Sequence, residues 1–167
     1  MGLTSSEPLQ IERDETEAER VDRNFNELLG ELRVALPGVQ VLFAFLLAVP
    51  FQRRFPDLLH RDRAVFYAAL LATAFSTALL IAPSSYHRLR WRDHDKERLL
   101  VISNRLTIAG LFLLAGAVTC VVFVITDFLY GLTAACPATA VVGLAFAVLW
   151  YGLPLRRRQE ERARRAR

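Results

Sequence analysis

This sequence predicts an all-α integral membrane protein: a bundle of four spans preceded by an amphipathic cytoplasmic helix. Three observations predict it. Residues 64–86, 106–126 and 128–155 carry no charged side chain, and a fourth, shorter run covers 34–51. About 20 apolar residues are what a helix needs to cross the roughly 30 Å hydrocarbon core of a bilayer. Charged residues still make up 23% of the chain beside 53% hydrophobic ones. The two classes are segregated, as spans and their links require.

Residues 1–15 are polar, contain Pro8 and show no periodicity, which reads as a disordered terminus. A helix is expected over 16–33. There Val21, Phe25, Leu28, Leu29 and Leu32, followed by Leu36, recur at helical spacing with charges between them. Glu19 with Arg23, and Arg23 with Glu27, add weak i,i+4 support. The polar face is more acidic than basic. That favours a protein contact for the apolar stripe over anionic lipid.

The membrane domain is expected over 34–155, with spans at 34–51, 64–83, 106–126 and 138–153. Pro37 would kink the first span or start it anew. The link from 52 to 63 is short and charged. In the second span Ala68, Ala72 and Ser76 recur at spacing four, and in the fourth Thr139, Gly143 and Ala147 do so. Small residues at that spacing let helix backbones approach closely in lipid. Pro83 reads as the end of the second span, followed by a polar loop over 89–105. The stretch 128–137 reads as a link. Trp150 and Tyr151 are placed like an interfacial aromatic belt.

Charge sets the expected orientation. Four spans put both termini on one side. That side collects Arg13, Arg20, Arg23, Arg33, the basic residues of 87–105, and the arginines of the tail 156–167. The other side has Arg53, Arg54, Arg61 and Arg63. The positive-inside rule places both termini in the cytoplasm. The basic tail directly follows a span, so it reads as a contact with an anionic leaflet and not with nucleic acid. The lipid bilayer is the expected partner.

No span has an ionisable residue at its centre, which is where a proton or ion carrier places one. The remaining transport candidates are Gln40 within the first span, His87 and Arg88 at the inner end of the second, and Asp127 at the outer end of the third. No Walker loop, GxSxG elbow, HExxH or dinucleotide fingerprint is present, and His60, His87 and His94 form no ligand set. Cys120 and Cys136 have no CxxC partner. No cofactor, metal or catalytic residue is expected.

Three stretches carry a family resemblance. They are Asp22-Arg23-Asn24-Phe25-Asn26-Glu27-Leu28-Leu29-Gly30-Glu31-Leu32-Arg33-Val34, the run Gly38-Val39-Gln40-Val41-Leu42-Phe43-Ala44-Phe45-Leu46-Leu47, and Pro83-Ser84-Ser85-Tyr86-His87-Arg88. Together the chain resembles, over residues 15–151, an uncharacterised family of four-span actinobacterial membrane proteins. Some members carry the label "sodium:proton antiporter". The resemblance implies a bacterial plasma-membrane location and a span count. Two functional expectations follow: a non-enzymatic subunit that associates with itself or a larger membrane partner, or a small sodium/proton antiporter.

Overall fold

The computed structural model describes residues 17–89 and 96–152. The order is α1 (Glu17–Ala48), two short 3-10 turns at Val49–Phe51 and Phe55–Asp57, α2 (His60–Leu89), α3 (Lys96–Tyr130) and α4 (Leu132–Phe146). A π-helical end, Ala147–Gly152, continues α4. No strand occurs among the described residues. The fold is all-α, with four helices long and apolar enough to cross a membrane. The expected disordered terminus and basic tail lie outside the described residues, as do the side chains of His87 and Arg88.

The helices are longer than the apolar runs. α3 has 35 residues, about 52 Å of helix against a core of about 30 Å. α1 runs unbroken from the amphipathic segment through Pro37 into the first span. Its stripe is used within the chain: Phe25, Leu28 and Leu32 are buried, and Leu28 and Leu32 cluster with Val39 and Leu80. The protein contact expected for this stripe is made within the chain.

Three corrections concern boundaries. α2 continues through Pro83 to Leu89, so Pro83 does not end the helix. α3 begins at Lys96, inside the expected polar loop. The expected link at 128–137 is helix apart from Gly131, whose φ of +82° ends α3. The Gly131 amide donates to the Asp127 carbonyl, and the Ala135 amide donates to the Gly131 carbonyl. A one-residue break suffices because glycine adopts positive φ without a Cβ clash.

Heptad seams hold α1, α2 and α3 together. The buried positions of α2 are Asp62, Phe66, Ala69, Thr73, Ser76, Leu80 and Pro83, alternating in steps of four and three. α3 presents Ser103, Thr107, Gly110, Ala117 and Val124. Such spacing keeps a narrow seam facing its neighbour at a shallow crossing angle. The closest approach is at Gly110. Ser76 Oγ donates to the Gly110 carbonyl at 2.8 Å, and a Cβ on Gly110 would lie 2.9 Å from Leu80.

Within the chain, the seam on α2 lies one position away from most of the predicted stripe. Ser76 is buried, but Ala72 is half-buried and Ala68 exposed. Ala69 and Thr73 carry the seam instead. On α4, Thr139 and Gly143 are half-buried, and Ala147 is exposed. A Cβ on Gly143 would meet Thr119 at 3.6 Å.

α4 packs on α3 and on neither α1 nor α2. The molecule is therefore a three-helix seam with a fourth span on one side, open on its flank. Gly143→Leu should lower the thermal stability of the detergent-solubilised protein, because the larger side chain must displace Thr119. Leu144→Ala should change it much less, since Leu144 is 64% exposed. Equal loss in both would contradict this placement of α4.

Candidate functional site

The charged residues that the fold brings together lie at the end of the bundle where α1 hands over to α2 and α3 to α4. Asp62 sits in the first turn of α2 with its side chain 2% exposed. Asp127 sits in the last turn of α3 and is 8% exposed. Arg61 bridges them. Its Nε donates to Asp62 Oδ1 at 3.2 Å, and its Nη2 is paired with Asp127 Oδ2 across the helix interface.

Helix dipoles explain the asymmetry. A carboxylate at a helix N-terminus is stabilised by the exposed amides, typically by about 0.3–1 kcal/mol. Asp62 has that position. Asp127 stands at the opposite, negative end of its helix, where a carboxylate is disfavoured. The guanidinium reaching over from α2 compensates it with a charge-assisted bond.

The 49–59 link closes over this end. Arg63 donates from Nε to the Leu58 carbonyl at 3.1 Å and from Nη2 to the Pro56 carbonyl at 2.5 Å. Arg54 stacks over the Phe128 ring at 4.8 Å. Phe55 meets Phe66 edge-on at 5.4 Å. Leu46, Leu58, Phe66 and Val124 form the apolar cluster beneath. This is a built cap, in which Arg54, Arg61 and Arg63 each have an assigned contact.

The middle of the bundle is different. Thr73, Thr77, Thr107 and Thr119 each donate to the carbonyl four residues back, at 2.7–3.0 Å. These hydroxyls are satisfied within their own helices. Ser103 Oγ and Thr139 Oγ1 are buried with no hydrogen-bond partner among the described residues. No group of three or more His, Cys, Asp or Glu side chains that could hold a metal occurs among them.

Of the four transport candidates, only Asp127 enters this charged cluster. Gln40 is exposed on α1 and joins no polar contact with it. His87 and Arg88 belong to the last turns of α2, at the opposite end. Sequence reasoning missed Arg61 and Asp62, which it left in the link. The signal was available: Asp62 falls in the four-three rhythm of Phe66, Ala69, Thr73 and Ser76, so it had to face inward.

A family model matches residues 14–154, nearly the whole chain. No curated protein and no solved structure matches it. The protein belongs to DUF6328, a family of unknown function.

Proposed function

We propose that this DUF6328 protein is a non-enzymatic subunit of a bacterial plasma membrane, working by association with itself or with a larger membrane partner. The observation that carries this reading is the open flank of α4. The helix leans on α3 alone, and its outer face carries the small residues Cys136, Ala140 and Ala147. In lipid, apolar surface alone drives no association, so close backbone approach over small residues is what favours a helix partner. A photo-crosslinker placed at Ala140 should give a discrete larger adduct in native membranes. Only the 18.9 kDa chain, with no adduct from this face, would sink the reading.

Both termini are assigned to the cytoplasm. The arginines of the opposite end weigh against this by the positive-inside rule. The basic residues of 87–105 and the arginines of 156–167 outnumber Arg53, Arg54, Arg61 and Arg63, and that bias in Lys and Arg decides the assignment. Cysteines introduced between Leu89 and Arg98, where α2 hands over to α3, should therefore resist impermeant maleimides in intact cells and react in inverted vesicles. Labelling from outside would reverse the orientation.

Sodium/proton exchange is the competing reading, and the buried Asp62 and Asp127 are what favours it. An exchanger uses a carboxylate in the membrane interior that can gain and lose a proton. These two are held at one end by a permanently charged guanidinium. In inverted vesicles, a sodium-dependent dequenching of an acid-quenched dye, lost in Asp127→Asn, would turn the assignment to exchange.

A further inference from the structure

Arg105 is the charged side chain of α3 that lines a groove. Arg105 is exposed, and it makes no ion pair or hydrogen bond among the described residues. The seam residues Ser103 and Thr107 turn toward α2, so Arg105 projects from another face. There it heads a shallow groove whose remaining walls are Ile108, Ala109, Phe112 and Leu113. Phe112 is 64% exposed. The π-helical end of α4, Ala147–Gly152, makes no close backbone approach to α3.

The depth of Arg105 is set by its own helix. Asp127 marks the far edge of the span, and 22 residues separate the two positions. At 1.5 Å per residue that is about 33 Å, close to the roughly 30 Å of a hydrocarbon core. Arg105 thus falls at the boundary between acyl chains and phosphates, with an apolar groove running from it into the chain region. A guanidinium there needs an anion, and its planar fork matches phosphate oxygens. Lys96 and Arg98 begin α3 at this same end.

We propose that α3 carries a site for one anionic phospholipid, with the phosphate on Arg105 and an acyl chain along Ile108, Ala109, Phe112 and Leu113. The lipid lies against α3 on the groove face. The site stands apart from the outer flank of α4 and does not depend on the association reading.

Native mass spectrometry of the full chain in mild detergent tests it, using phosphatidylglycerol and phosphatidylcholine as titrants. One phosphatidylglycerol should be retained more tightly than the others, and phosphatidylcholine should show no such tight first site. Arg105→Gln should weaken that first site roughly fivefold, the effect of one arginine at a lipid surface. Ala109→Trp, which keeps the charge but fills the groove, should weaken it too, while Arg98→Gln should not. Unchanged phosphatidylglycerol binding in both Arg105→Gln and Ala109→Trp would overturn the proposal. So would equal binding of the two lipids. A change of oligomeric state in place of lipid binding would assign the groove to a second copy and likewise overturn it.

Discussion

Replacing Gly110 with valine should lower the unfolding temperature of the purified protein by roughly 5–10 °C. Gly110 stands where α2 and α3 come closest. A Cβ there would lie 2.9 Å from both Cγ and Cδ2 of Leu80 and 3.3 Å from the Ser76 carbonyl. Leu80 is fully buried and has no room to swing aside. The Ser76 carbonyl is backbone and moves only with its helix. Gly110→Ala should show the same sign with a smaller loss. At Gly116 an added Cβ would meet nothing within 4 Å. Gly116→Ala should therefore be accepted without loss, because alanine is also the better helix former. Ser76→Ala removes the hydrogen bond between the helices and should cost about 1 kcal/mol. Ser103→Ala should be neutral or stabilising, since that hydroxyl has no partner to lose among the described residues. Thermal unfolding of the five variants side by side checks the set. Equal tolerance of alanine at Gly110 and Gly116 would place the close contact elsewhere.

The second large effect is expected at Arg61. Arg61→Gln leaves Asp62 and Asp127 at one end of the bundle without the cation that bridges them. Arg61 is itself half-exposed, but both carboxylates it serves are buried, so removing it leaves their charge with its desolvation cost. Arg61→Gln should therefore lower stability more than Asp127→Asn does. The double variant Arg61→Gln/Asp127→Asn should recover part of the loss, which a merely additive pair would not. Arg53→Gln is the control, an arginine at the same end of the bundle that takes no part in the bridge. If Arg61→Gln and Arg53→Gln unfold alike, the bridge contributes nothing to the fold.

The span count and fold class were legible because charge-free runs report directly on the solvent a helix can tolerate. Boundaries were less so. Helices continue beyond the hydrocarbon region, and there a charged or polar residue no longer excludes them, as at Lys96 and Arg88. Pro83 misleads for a related reason: a proline inside a membrane helix can be accommodated when neighbouring helices enclose it, and Pro83 is fully buried. The stripe Ala68, Ala72, Ser76 assumed a spacing of four throughout. A helix of 3.6 residues per turn drifts off such a line, and only the alternating four-three rhythm stays on one face. That rhythm selects Ala69, Thr73 and Ser76, and extended backwards it reaches Asp62. The bridge itself could not be read, because Arg61 and Asp127 are 66 positions apart and only the antiparallel register of α2 and α3 brings them together. Nor could the open flank of α4: its run is the most uniformly apolar of the four, and such a helix carries no moment to say which side is covered.

Whether the outer face of α4 seats another membrane helix is tested most directly by the mass of the particle extracted from native membranes in polymer-bounded lipid discs, without detergent exchange. A mass well above that of one 18.9 kDa chain in its lipid disc is expected, with a return to the single-chain mass when Ala140 is replaced by phenylalanine. A single chain in the unaltered protein, unchanged by that substitution, would contradict the proposed association.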